Sequence, residues 1–209
     1  MKPKEISKSV LKRLPGYLTY LKSLPEDGPA NISATALAAA LSMGVRKDLA
    51  LVSDGGRPKV GYLRENLIAD IEQFLGYDNT TEAVLIGAGK LGRALLGYSG
   101  FAEYGLEIVA AFDTNEAIDG EMESGKPIYA ISRLPQFCKE RKVLMGIITV
   151  PAAAAQEVCD LLIANGIKAV WTFAPAHLDV PPHILVQYEN MATSLAVLSV
   201  HLSAQINGK

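Results

Sequence analysis

The 209-residue chain is 49% hydrophobic and 20% charged, a composition that supports a buried core and excludes a disordered polymer. Its longest apolar runs, such as Ile147-Ile148-Thr149-Val150, are far too short for a bilayer, and no long apolar stretch follows the basic N-terminus. Neither a membrane partner nor a secretory leader is therefore expected. The net charge of −2 hides an asymmetry: residues 1–64 hold 11 Lys/Arg against 5 Asp/Glu, and residues 65–209 hold 9 against 17. A basic front on an acidic rear suits an anionic partner for the front or, on charge alone, a solvated basic face. Cys138 and Cys159 show no CxxC or metal-type spacing and read as buried small side chains of a reduced, cytoplasmic protein.

Apolar residues at positions 6, 10, 11, 14, 17, 18, 21 and 24 form a helical stripe from Ile6 to Leu24, and Pro15 within it predicts a kink or a late start. Ser33 suits the N-cap of a second helix over Ala34–Leu41. Ser42-Met43-Gly44 breaks that helix, and a third runs from about Val45 to Val52. Asp54-Gly55-Gly56 predicts a hairpin turn and Arg57–Tyr62 a short strand, completing a winged helix-turn-helix pattern. Leu63–Leu75 reads as a connecting helix ending at Gly76.

From Ala83 the pattern becomes strand-helix alternation. Strands are expected at Ala83–Ile86, Ile108–Phe112, Ile128-Tyr129, Met145–Val150, Ala169–Phe173 and Ile184–Tyr188. Helices are expected at Leu91–Tyr98, Arg133–Arg141, Ala153–Ala164 and Thr193–Ile206. This alternation implies an α/β, doubly wound, Rossmann-type parallel sheet.

Gly87-Ala88-Gly89-Lys90-Leu91-Gly92 follows the first of these strands and opens a helix, the context in which GxGxxG binds a dinucleotide. Gly87 permits the turn, Gly89 lets backbone approach a pyrophosphate, and Gly92 lets helix pack on strand. Asp113, 21 residues beyond Gly92, stands where a carboxylate accepts from the adenosine ribose and repels a 2′-phosphate. Thr114-Asn115-Glu116 offers no cation for such a phosphate, so NADH and NAD+ are expected rather than the phosphorylated pair. His177, His183 and His201 pair with no carboxylate in a motif, and little chain remains for a substrate domain. The cofactor is therefore expected as a ligand, with no catalytic residue and no metal site.

Arg46 and Lys47 open the third helix, where a helix-turn-helix meets bases and phosphates, and Arg57 and Lys59 lie on the expected wing. Arg13-Leu14-Pro15, Val45-Arg46-Lys47-Asp48-Leu49, Val60-Gly61-Tyr62, the glycine turn and Ile108–Asp113 together resemble the Rex family of redox-sensing repressors. Val150-Pro151, Ala154-Ala155-Gln156 and Phe173-Ala174-Pro175 extend the resemblance over nearly the whole chain.

The resemblance implies a homodimer on palindromic double-stranded operator DNA that NADH releases and NAD+ tolerates. It places a winged-helix domain at 1–78, an NAD(H)-binding Rossmann domain at 79–189, and a helix exchanged between subunits at 190–209. The implied DNA-binding set is Arg13, Ser33, Val45, Arg46, Lys47, Arg57, Lys59 and Tyr62. Thr149-Val150-Pro151 and Phe173-Ala174-Pro175 would line the nicotinamide end, and Tyr98 sits at the family's usual tyrosine near the domain interface.

Three departures stand out. The Ser42-Met43-Gly44 link is short, Thr172 replaces an asparagine, and Thr19 and Ala192 fall where many members place an arginine and an aspartate. An NAD-dependent oxidoreductase and a CoA- or nucleotide-binding accessory module remain the alternatives.

Overall fold

A computed structural model describes residues 7–41 and 44–206. Ile6, at the head of the first helical stripe, and Ser42-Met43 of the short link lie outside the described residues. The chain forms two compact units, one ending at Asn79 and one beginning at Thr80.

The first unit opens with α1 (Lys8–Ser23). The Ser7 Oγ accepts from the Val10 N–H at its start, and the helix runs through Pro15 rather than beginning late. Proline costs an N–H bond to the carbonyl four residues back, here that of Leu11 on the exposed side. Strand β1 (Asn31–Ile32) precedes α2 (Ala34–Leu41), and α3 (Arg46–Val52) follows. Strand β2 (Tyr62–Leu63) pairs antiparallel with β1, Asn31 opposite Leu63, and leads into α4 (Arg64–Leu75), which Gly76 ends in a left-handed cap. Leu14, Tyr17, Leu21, Leu37, Leu49, Leu67 and Ile71 close a single core between these elements.

The expected Asp54–Gly56 turn and Arg57–Tyr62 strand need correction. Arg57 and Gly61 exchange both backbone hydrogen bonds, at 2.9 Å each, so the turn is Pro58-Lys59-Val60 itself. Pro58 brings no N–H to a ladder, and Lys59 has φ +66°, which bends the chain where a strand would extend it. The strand that does form, β2, pairs with a segment before α2 whose two residues show no alternation in sequence.

The second unit is a seven-stranded sheet in the order β5-β6-β4-β3-β7-β8-β9. Its strands are β3 (Thr81–Ile86), β4 (Leu106–Asp113), β5 (Met122–Glu123), β6 (Lys126–Ala130), β7 (Met145–Ile148), β8 (Ala169–Thr172) and β9 (Leu185–Tyr188). All pairs are parallel except the β5–β6 hairpin at one edge. The chain winds outward from β3 in both directions, which makes β3–β7 the topological switch point.

Alternate residues of β3 serve opposite faces. Val84 and Ile86 pack with α6 (Leu134–Arg141) and α7 (Ala152–Ala164), while Ala83 and Leu85 pack with α5 (Lys90–Gly97) and Phe101. Cys138 and Cys159 lie in the first of these layers, where burial raises both thiol pKa values, as expected of inert core cysteines. No helix covers the crossover from β8 to β9. Gln156 holds it instead, accepting from the Asp179 N–H and donating to the Asp179 carbonyl, both at 2.9 Å. The final helix, α8 (Met191–Ile206), follows β9, and no helix among the described residues is long and apolar enough to cross a membrane.

Candidate functional site

The carboxyl ends of β3, β4, β7 and β8 converge where the switch point opens. Gly87 follows β3 with φ +104° and its N–H donates to the Phe112 carbonyl at 2.8 Å. A Cβ at Gly92 would stand 1.9 Å from the Gly87 carbonyl oxygen, so the fold itself requires glycine there. Gly89 is different. It has φ −74°, and a Cβ there would meet no atom of the chain within 4 Å. The protein's own packing therefore does not require glycine at 89, and a side chain there would project into the open space ahead of α5.

A second feature agrees. α5 begins with the exposed Lys90 and has no acidic residue in its first turn, although helix N-termini disfavour positive charge. An anion at that terminus would satisfy both the lysine and the first-turn N–H groups of Lys90, Leu91 and Gly92. The donors and the clearance fit a pyrophosphate.

Asp113, at the end of β4, is tied into the turn. Its Oδ2 accepts from the Ala88 N–H at 2.7 Å and its Oδ1 from the Asn115 N–H at 2.9 Å. The carboxylate thus shapes the turn itself, a use that spacing alone did not reveal. Arg93, absent from the expected set, braces the same turn. It donates to the Ala88 carbonyl at 3.1 Å and pairs with Glu121 at 2.6 Å, which raises its pKa.

Thr149, Val150 and Pro151 follow β7 beside the turn. The Thr149 Oγ1 donates toward the carbonyls of Gly87 and Ile86, at 2.8 and 3.1 Å, and a Cβ at Gly87 would press on Val150 at 3.0 Å. Phe173 joins them through its N–H to the Ile148 carbonyl at 2.9 Å, with the buried Ala174 and the exposed Pro175 beyond it. Thr172 is fully buried, and its Oγ1 accepts from the Ala174 N–H at 3.2 Å. This departure from asparagine therefore keeps a local cap on the same turn. Tyr98 is not brought to the glycine turn; it stands exposed at the end of α5, edge-on to Phe101 at 4.9 Å. Among the described residues no cluster of His, Cys, Asp and Glu could hold a metal ion.

In the first unit, Arg46 and Lys47 are exposed on the opening turn of α3, and Arg57 and Lys59 are exposed on the Arg57–Gly61 turn. Four other expected contacts serve the fold. Val45 is 1% exposed, so it belongs to the core and cannot reach a base; its place in the expected DNA-binding set is corrected accordingly. The Ser33 Oγ caps α2, accepting from the Ala36 N–H at 3.0 Å. Tyr62 is half-buried against the same core. Arg13 is bound twice to Asp48, at 2.8 and 3.0 Å, and the Tyr17 hydroxyl donates to Asp48 at 2.6 Å. The Arg13 guanidinium, aided by Tyr17 and opposed by burial, holds the Asp48 carboxyl below its ordinary range. This triad pins α3 to α1, a function that no local motif announced.

Comparison with known proteins agrees on both units. The family described as CoA binding domain matches residues 78–176, and that described as putative DNA-binding protein N-terminus matches residues 5–50. The chain is 42% identical to the redox-sensing transcriptional repressor Rex of Porphyromonas gingivalis, over 93% of this chain and 90% of that protein. It is 39% identical to the Rex of Treponema denticola over 93% and 94%. A crystal structure of RSP with beta-NAD+ and operator DNA superposes with TM-score 0.89 at 30% identity, covering 97% of this chain and 94% of that one. RSP with beta-NADH gives 0.87 at 29% identity, over 97% and 96%. The chain belongs to the Rex family of redox-sensing transcriptional repressors.

Proposed function

We propose that this chain is a cytoplasmic repressor that binds palindromic operator DNA as a homodimer and leaves it when NADH fills the site at the end of β3. The glycine turn supports the reading: a side chain at Gly89 would meet no atom of the chain within 4 Å, and the Asp113 carboxylate, bound to the Ala88 N–H, stands where it would accept from an unphosphorylated ribose. The solved complexes of RSP, one with beta-NAD+ and operator DNA and one with beta-NADH, are the two states the proposal assigns to this chain.

The N-terminus of α5 beside Gly89 would hold the pyrophosphate, Asp113 the ribose, and Thr149, Val150, Pro151, Phe173, Ala174 and Pro175 the nicotinamide. Those last residues bring no acid–base group, so the cofactor is a ligand and not a hydride partner. A neutral reduced ring enters an apolar wall at less cost than the cationic oxidised ring. That difference lets NADH favour one dimer state over the other; equal binding to both would shift nothing. On the DNA side, Arg46, Lys47, Arg57 and Lys59 supply the exposed positive charge, with two copies of α3 meeting half-sites across a two-fold axis. Domain limits at 1–78, 79–189 and 190–209 suit this division. The exposed Leu195, Leu198, Leu202 and Ile206 of the last segment need a second subunit to bury them.

Gel shift on a palindromic operator tests the proposal: NADH releases the wild-type protein, and operator affinity that ignores NADH removes the sensor reading. In the same assay Arg46→Ala weakens binding and lowers the salt slope by about 0.9 for one lost phosphate contact. An unchanged slope would take α3 off the DNA. Replacing Asp113 by Ala weakens NADH binding by roughly ten- to a hundredfold, since both a charged acceptor and the Ala88 tether are lost. An unaltered titration of NADH fluorescence would show that the ribose lies elsewhere.

A further inference from the structure

Trp171, the chain's single tryptophan, stands in β8 within a row of four rings. Its centroid lies 4.9 Å from Phe173 and 5.6 Å from Phe101, and Phe101 meets Tyr98 edge-on at 4.9 Å. One end of the row, Phe173, is at the nicotinamide side of the site. The indole also has a polar handle: its Nε1–H donates to the Glu189 carboxylate at 3.0 Å, and the Glu189 N–H donates to the Thr172 carbonyl at 2.9 Å. Glu189 is two residues before α8, which Asn190 caps through the Thr193 N–H at 3.2 Å. Strand β8, which leads into Phe173, and the root of α8 are thus joined by one side-chain and one backbone hydrogen bond.

We propose that Trp171 and Glu189 form a clasp through which occupancy of the nicotinamide end sets the direction of α8. The inference rests on the NADH-responsive reading and adds the residues that carry its signal. Rings in such close contact, Trp171 tilted against Phe173 and edge-on to Phe101, do not slide independently. A ring that arrives against Phe173 therefore moves the Trp171 indole, and its N–H either keeps or loses a directional bond to Glu189. α8 has 16 residues and is about 24 Å long, so a small rotation at Glu189 becomes a large displacement at its far end. Its exposed Leu195, Leu198, Leu202 and Ile206 give that displacement a surface on which to act. Trp171 and Glu189 are positioning residues here; neither touches the cofactor or the DNA.

The test uses full-length protein and a palindromic duplex selected by the wild type from random sequence. Wild type, Trp171→Phe, Glu189→Ala and Glu189→Gln are compared for NADH affinity, cofactor-free DNA affinity, and the NADH concentration that half-releases the duplex. Trp171→Phe keeps a ring in the row but has no N–H to donate; Glu189→Gln keeps the accepting oxygen. The expected result is that Trp171→Phe and Glu189→Ala retain both affinities within about twofold yet need about tenfold more NADH for release, and Glu189→Gln restores wild-type release. Variants released at the wild-type NADH concentration would overturn the clasp while leaving the sensor reading intact. Variants that lose NADH affinity itself would overturn it too, by making these residues part of the pocket wall. A wild-type protein that ignores NADH would sink the sensor reading and the clasp together.

Discussion

Gly92→Ala is expected to lose NADH binding and about 3 kcal/mol of stability, whereas Gly89→Ala loses NADH binding while stability stays within about 1 kcal/mol of wild type. The difference follows from what each new methyl group meets. At Gly92 it meets the Gly87 carbonyl oxygen at 1.9 Å, a backbone atom in a turn that Thr149 and the Phe112 carbonyl already hold. Backbone cannot rotate aside as a side chain can, so α5 must lift from β3 and open the layer around Leu85 and Leu96. At Gly89 the methyl meets nothing in the chain and the backbone has an ordinary negative φ. It projects only into the space assigned to the pyrophosphate. Denaturant unfolding and titration of NADH fluorescence measure the two effects separately. A Gly89→Ala protein that binds NADH normally would mean that no phosphate approaches that position.

Asp48→Ala is expected to cost the first unit about 3 kcal/mol and to weaken operator binding, although Asp48 itself faces no ligand. Asp48 is 4% exposed and accepts from Arg13 twice and from Tyr17 once. Alanine leaves the fully buried Tyr17 hydroxyl without its acceptor and frees α3 from α1, so the exposed Arg46 and Lys47 at the start of α3 lose their fixed position. The same triad sets an acid limit. The folded-state pKa of Asp48 lies below its ordinary value, so its contribution is complete above about pH 4 and disappears as pH falls through the depressed folded-state value. Unfolding of the wild type followed from pH 6 to pH 2 should show that loss, and Asp48→Asn should flatten the curve. An Asp48→Asn protein with the wild-type acid profile would assign the acid limit to other carboxylates.

The turn between β3 and α5 is legible in the sequence because its chemistry is local. Glycine at 87, 89 and 92 and a carboxylate at the end of the next strand are dictated by the shape of a dinucleotide and by backbone sterics. The strand-helix order was legible for a related reason: apolar strands buried on both faces, separated by amphipathic helices, have few ways to form one sheet. The basic first unit with exposed Arg46 and Lys47 was visible in charge and periodicity alone.

Other features depend on residues far apart in the chain. Arg13 carries a charge in a motif whose family resemblance implies DNA binding; only the packing of α1 on α3 places it against Asp48, 35 residues away. Val45 precedes two basic residues and is turned inward by the start of α3. The true wing turn, Pro58-Lys59-Val60, was hidden behind a stronger glycine signal at Gly55-Gly56, because strand choice there is made by pairing with β1. Glu189 carries no motif and reaches Trp171 only because β9 lies beside β8. Sequence by itself determined the strand-helix alternation, the glycine turn after β3 and the sign of the charge on each unit, since each follows from near-neighbour sterics and periodicity. Tertiary structure alone decided which charges face outward and which are consumed inside, because a buried ion finds its partner across the core and not along the chain.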